Sequence, residues 1–164
     1  FGGTAALVAA LTRILRARGA HVLELDQSAE ATQATTANEF HAGIYLGLRL
    51  ENYSHCRTDY FATEGFHSEG GFRLAHRCAD ALDRGLRVHL EASSDETTAT
   101  VCSGRRLPIL RQTRMPAVLC TLAPASTVVL ATAEIAHSLA GAITDATILV
   151  SIMTVQNEIG IIQA

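Results

Sequence analysis

Short apolar runs of strand length alternate along this chain with longer stretches of helical period, and that alternation leaves few folds open. Over residues 5–18, Leu7, Leu11, Ile14 and Leu15 recur at helical spacing and mark one buried face. Arg13, Arg16 and Arg18 gather toward the C-terminal end of that helix, where the dipole favours cations, and Gly19 is a natural stop. Residues 20–25 (AHVLEL) read as a strand. Ser28 is placed to cap a helix running to Phe40, with Glu30 in its first turn. Residues 43–48 (GIYLGL) form a short apolar run expected to be a buried strand. A further strand is predicted over 58–63, a loop over 66–71, and a helix through Phe72, Ala75, Ala79 and Leu82 that stops at Gly85. Residues 91–104 are polar and rich in Ser and Thr, and read as a surface excursion. Strands are predicted over 107–110 and 117–122, broken by Met115 and Pro116. Ser126 is placed to cap a last helix with Val128, Ile135 and Leu139 inside, and 147–155 reads as a final strand. Strands alternating with helices predict an α/β fold, a layered αβα arrangement around a mainly parallel sheet.

Composition narrows the function classes. At 164 residues and 48% hydrophobic, the chain is long and apolar enough for one domain with a proper core. No apolar run reaches the roughly 20 residues that span a bilayer, so no integral membrane segment is expected, and no secretory leader is visible. The net charge of −3 is not segregated, which argues against a nucleic-acid partner. All 13 basic residues are arginine, so no lysine exists to form a Schiff base. Cys56, Cys78, Cys102 and Cys120 show no C-x-x-C spacing. Cys78 and Cys120 sit among apolar neighbours and read as buried. Cys56 and Cys102 lie in more polar sequence, where either a disulfide between them or two reduced thiols fits.

Three blocks carry a family resemblance. The first is the helix over 5–18 followed by Gly19, Ala20, His21 and Val22. The second is the string over 34–52 (ATTANEFHAGIYLGLRLEN), with Ala37, Asn38 and Ala42 at matching places. The third is 106–121 (RLPILRQTRMPAVLCT). Their order and spacing resemble the zinc-dependent N-acetylmuramoyl-L-alanine amidases of the type 3 family, and among these the divergent actinobacterial amidase-like proteins. The resemblance implies an amidase-like domain over 1–145, expected to lack its native N-terminal strand. It also implies a site in which two histidines and a glutamate hold Zn²⁺ while a second glutamate takes the proton from the metal-bound water.

The residues standing at the visible site positions do not suit that chemistry. Where the family's second zinc histidine is expected, this chain has Arg49, whose guanidinium has no lone pair for a metal. Where the catalytic glutamate is expected stands Thr121, which cannot act as a carboxylate base. The metal-binding glutamate is expected just ahead of Phe1 and the first zinc histidine further upstream. His41 and His55 are the nearest candidates to replace a lost ligand; otherwise His41 is a solvated residue at a helix C-terminus and His55 a loop residue. Arg49 has two readings, a binder of carboxylate or phosphate in the cleft or a surface partner of Glu51. Arg49, Asn52 and Thr121 are the expected binding residues, with no metal ligand and no catalytic group among them.

Residues 146–163 (ATILVSIMTVQNEIGIIQ) separately resemble a segment of PLP-dependent cysteine desulfurases, in which Asn157 would touch the cofactor. Without a lysine that chemistry has no anchor. The segment 146–164 is therefore expected to be a strand or tail of separate origin, adhesive unless paired. Three functions follow. The first is a non-catalytic, cytoplasmic regulator or scaffold of peptidoglycan synthesis, without cofactor, that binds a cytosolic protein of cell-wall precursor synthesis. In it the Ser/Thr-rich stretch 93–100 is either a phosphorylation loop or a solvated excursion. The second is a zinc amidase with relocated ligands, and the third a fragment of a desulfurase.

Overall fold

The computed structural model describes residues 2–25, 29–90, 99–143 and 149–154. Helices α1 (Gly2–Ala17), α2 (Glu30–Glu39), α3 (Glu69–Leu90), α4 (Pro108–Gln112), α5 (Ala125–Leu130) and α6 (Thr132–Ala142) flank one sheet. Its strands are β1 (His21–Leu25), β2 (Ile44–Leu50), β3 (Arg57–Thr63), β4 (Phe66–His67), β5 (Val101–Arg105), β6 (Ala117–Leu122) and β7 (Leu149–Thr154). The order is β1-β7-β2-β6-β3-β4, with β5 also pairing β3. β1, β7, β2 and β6 run parallel; β3 runs against β6, and β5 runs parallel to β3. This is the expected layered α/β fold with a mainly parallel sheet.

The pleat sorts each strand onto two faces. Leu46, Leu48 and Leu50 of β2, with Val118, Cys120 and Leu122 of β6, join α1, α3, α5 and α6 in the larger core. Tyr45, Ala117 and Leu119 point the other way, onto Ala34 and Ala37 of α2 and Ile109 and Leu110 of α4. The stripe read from the sequence is the buried face of α1: Leu7, Leu11 and Leu15 are all within the core. Gly19, at φ +92°, ends that helix with the Ala20 N–H donating to the Leu15 carbonyl and the Gly19 N–H to that of Arg16. His41 terminates α2 in the same manner at φ 56°, with the Ala42 N–H reaching the Ala37 carbonyl. A non-glycine residue there accepts some backbone strain to stop the helix.

Several local expectations are corrected. Residues 107–110 are not a strand: Pro108 opens α4, where its missing N–H costs nothing and its fixed φ suits a helix. The stretch 91–104 is not wholly an excursion, since Val101–Arg105 adds to β3 as a half-exposed strand that tolerates polar residues. Residues 91–98 lie outside the described residues, and with them most of the proposed phosphorylation stretch. Thr100 is held by Asp83 Oδ1 through both its N–H and its hydroxyl. Gly85 does not end α3, which continues to Leu90. Its bare Cα lets α6 come close, so the glycine serves packing and not termination. The loop predicted over 66–71 contains β4 and the start of α3. Ser68 Oγ accepts from the Gly71 N–H and caps the helix. Ser126 caps nothing: Pro124 precedes α5, and the last helix is split at Ala131. Val128, Ile135 and Leu139 are nonetheless buried as read. Ser28 lies outside the described residues, and the N-cap of α2 is Ala29. Cys56 is buried, its thiol donating to the Ala123 carbonyl at 3.3 Å, and all four cysteines are free, so the Cys56–Cys102 disulfide does not form.

The segment 149–154 is a strand within the main sheet, paired in parallel with β1 on one side and β2 on the other. Asn157 lies outside the described residues. Among the described residues no helix is long and apolar enough to cross a membrane.

Asn38 is the clamp between α2 and the turn before β6. Its Nδ2 donates to the Gln112 carbonyl and its Oδ1 accepts from the Arg114 N–H, both at 2.9 Å. Asn38→Ala is expected to lower stability by about 1–2 kcal/mol, at about 1 kcal/mol per hydrogen bond. Urea unfolding checks this; an unchanged midpoint would show that the turn holds without the clamp.

Candidate functional site

Arg49 and Thr121 meet across the sheet. They are direct partners in the β2–β6 register, and Arg49 Nη2 donates to Thr121 Oγ1 at 3.1 Å. Thr121 is fully buried, and on the side of β6 away from β2 its register partner is Arg57 of β3. Directly paired residues project from the same face of a sheet. Arg49, Thr121 and Arg57 therefore form one row across three strands, near the C-terminal ends of β2 and β6. Hydroxyl and guanidinium are complementary here, since Thr121 accepts from Arg49 and keeps its own O–H to donate.

Asp59 lies two residues along β3 on the same face, with no exposed surface. Arg57 Nε donates to its Oδ2 at 3.2 Å, and Arg105 Nη1 stands 3.8 Å from the same oxygen. The other oxygen, Oδ1, has no hydrogen-bond partner. Burial pushes the pKa of this carboxyl up, and the guanidiniums of Arg57, Arg105 and Arg49 only partly offset that. Arg49 also faces Glu51, whose Oε1 is 3.7 Å from Arg49 Nε. That is beyond hydrogen-bond reach, and the buried Nε–H has no acceptor. The Arg49–Glu51 partnership read from the sequence is thus an ion pair, made alongside the Thr121 contact.

Asp59, Arg57 and Arg105 were missed in the sequence. The available signal was charge at alternate positions of an otherwise uncharged strand. Asn52, the third expected binding residue, is exposed beyond the end of β2, and no hydrogen bond joins it to Arg49 or Thr121 among the described residues. His41 is spent on ending α2, and His55 Nδ1 meets Ser54 Oγ at 3.0 Å.

The zinc implied by the family resemblance does not fit the residues present. Neither Arg49 nor Thr121 offers a suitable donor, and a fixed cation would repel the metal. Among the described residues no three His, Cys, Asp or Glu side chains are grouped to hold a metal ion. Nucleophilic cysteine chemistry has no better support. Cys102 Sγ lies 3.4 Å from His76 Nδ1, but that nitrogen also meets the Phe72 carbonyl, and burial pushes the Cys102 thiol pKa up instead of down.

Asp59 makes stability pH-dependent in a definite direction. The folded state binds its proton more tightly than the unfolded chain. The resulting stabilisation is complete below the ordinary carboxylate pKa of about 3.9 and is lost as pH rises through the raised folded value. Asp59→Asn cannot titrate. Its stability relative to the parent is therefore expected to improve as pH rises through that window. Unfolding midpoints measured from pH 3 upward test this, and a pH-independent difference between the two proteins would contradict it.

No protein-family model and no curated protein sequence matches the chain. Solved structures do. An apo N-acetylmuramyl-L-alanine amidase, Ami1, from Mycobacterium abscessus aligns over 85% of this chain and 74% of its own, at 15% identity and TM-score 0.65. The CwlD amidase from Clostridioides difficile, solved in complex with the GerS lipoprotein, aligns over 84% and 80%, at 14% identity and TM-score 0.56. An N-acetylmuramoyl-L-alanine amidase from Clostridium difficile 630 aligns over 70% at 16% identity and TM-score 0.55, and the chain spans only 63% of its length. At such identities the likeness speaks for the fold alone. The chain has the fold of the N-acetylmuramoyl-L-alanine amidases.

Proposed function

We propose that this chain is a non-catalytic, amidase-fold regulator or scaffold of peptidoglycan synthesis, acting by binding a cytosolic protein of cell-wall precursor synthesis. One observation carries the reading: Arg49 is hydrogen-bonded to Thr121 at the strand ends where the resemblance leads one to expect a zinc ligand and a catalytic carboxylate. A hydrolase of this kind needs a Lewis acid and a proton acceptor. Here a permanent cation and an alcohol satisfy one another instead. The likeness to peptidoglycan amidases supports the cell-wall context, and the CwlD structure provides a case of this fold held in a protein complex. The desulfurase alternative has no lysine to carry its cofactor.

The test is metal content with activity. Full-length protein equilibrated with excess zinc and desalted is expected to retain only substoichiometric metal, and to release no stem peptide from an N-acetylmuramoyl-peptide. A full equivalent of zinc together with cleavage of the muramoyl–alanine amide would overturn the reading in favour of a zinc amidase with relocated ligands.

A further inference from the structure

We propose that the pocket lined by Arg106, Pro108, Arg111 and Gln112 binds a phosphate-type oxyanion, the phosphate or diphosphate group of a ligand. The pocket lies toward the start of β6, whereas Arg49 and Thr121 meet near the end of that strand. It is therefore independent of the preceding reading.

Charge comes first. Residues 105–114 (RRLPILRQTR) hold four arginines and no acid, in a chain whose net charge is −3. The even spread of charge read from the whole sequence fails in this stretch. Arg105 is drawn to Asp59, 3.8 Å away. Arg106, Arg111 and Arg114 are exposed, and among the described residues their guanidiniums have no hydrogen bond or ion pair. These cations are open to solvent and carry no internal counter-charge, so an incoming anion displaces no partner.

Shape and rigidity follow. Arg106 and Arg111 line a cavity of about 440 Å³, inside the range of roughly 300–1,000 Å³ usual for small-ligand sites. The backbone beneath them is held at several points. Ile109 and Leu110 are buried against α2 and Tyr45. The Thr113 hydroxyl donates to the Ile109 carbonyl at 3.1 Å, and Asn38 holds both the Gln112 carbonyl and the Arg114 N–H. The two arginines thus project from a fixed base, which lowers the ordering cost of binding.

The lining selects the ligand class. Pro108 is its one apolar residue, so a peptide finds no apolar anchor there. No aromatic ring lines the pocket for a nucleobase to stack on. Two guanidinium forks suit the oxygens of a phosphoryl group, and two positive charges match its dianion better than a single carboxylate.

The phosphoryl group can come from a soluble ester or from a lipid headgroup. The experiment is an NMR titration of the full chain with inorganic pyrophosphate, inorganic phosphate and tetraglutamate, at constant ionic strength kept with sodium chloride. It reads the backbone amide signals of Arg106, Arg111 and Gln112. Pyrophosphate is expected to shift them saturably and to bind more tightly than tetraglutamate. Arg106→Gln and Arg111→Gln are each expected to weaken pyrophosphate by about tenfold, the loss of one charge-assisted hydrogen bond. Arg13→Gln, on the exposed side of α1, should leave it unchanged. Both pocket substitutions are at exposed positions, so their unfolding midpoints should stay near that of the parent. Sedimentation with vesicles of phosphatidylcholine, alone or mixed with phosphatidylglycerol, separates the sources. Retention that needs phosphatidylglycerol and is lost in both pocket variants assigns the headgroup; pyrophosphate binding without retention assigns a soluble ester. The proposal is overturned if pyrophosphate shifts these signals no more than chloride does, if both pocket variants bind it like the parent, or if tetraglutamate binds more tightly. Any of those results would leave the proposed function standing, whereas zinc binding with cleavage would remove that function and leave this pocket in place.

Discussion

Leu48→Ala is expected to cost about 2–5 kcal/mol, the range for emptying a fully buried leucine site. Leu48 has no exposed surface and sits at the centre of β2, flanked in register by Cys120 of β6 and Thr154 of β7. Its side chain belongs to the core covered by α1, α3, α5 and α6, where rigid strands on both sides limit collapse into the void. Against a typical total stability of about 5–15 kcal/mol, this is a large fraction. Thermal unfolding of the variant should begin many degrees earlier than that of the parent. A loss below about 1 kcal/mol would mean that the central strand is not packed as described.

Gly85→Leu is expected to destabilise by about 1–3 kcal/mol, from overpacking. A Cβ at this position would lie 3.0 Å from Ile135 Cα, 3.2 Å from the Glu134 carbonyl oxygen and 3.2 Å from Ile135 N. All three are backbone atoms of α6 and cannot rotate aside, so α3 and α6 must separate and loosen the core between them. Gly141→Ala is the natural comparison. It lies inside α6 with nothing within 4 Å of an added Cβ, and the better helix propensity should stabilise by about 0.5–1 kcal/mol. Equal effects at the two glycines, read from urea midpoints, would show that helix propensity and not contact governs Gly85.

These two sites also mark what was legible in the sequence. Leu46 and Leu48 lie in an apolar run whose burial follows from its composition, and the stripe of Leu7, Leu11 and Leu15 follows from its period. Gly85 carries two possible meanings, a helix end or a close approach. Only the position of α6, set by contacts far away in sequence, decides between them. The same holds for the candidate site. Arg49 and Thr121 were found because each falls at a definite place in an ordered set of motifs. Asp59 and Arg57 were not, because their significance depends on β5, which supplies Arg105 from a stretch whose polar composition reads as loop. Pro108 misled for a different reason: the apolar Leu107–Ile109–Leu110 run suits a strand by composition, while the ring of Pro108 favours the first turn of a helix.

The position of β7 has a kinetic consequence. β1 makes its described ladder with β7 alone, and β7 also lies against β2, so the strand late in the chain separates two strands from its beginning. Loop closure on that scale is slow compared with forming a helical hairpin. The half of the sheet holding β2, β6 and β3 closes shorter loops, so the pairing of β7 between β1 and β2 is expected to come late in folding and to be slow, a step that stopped-flow refolding would reveal.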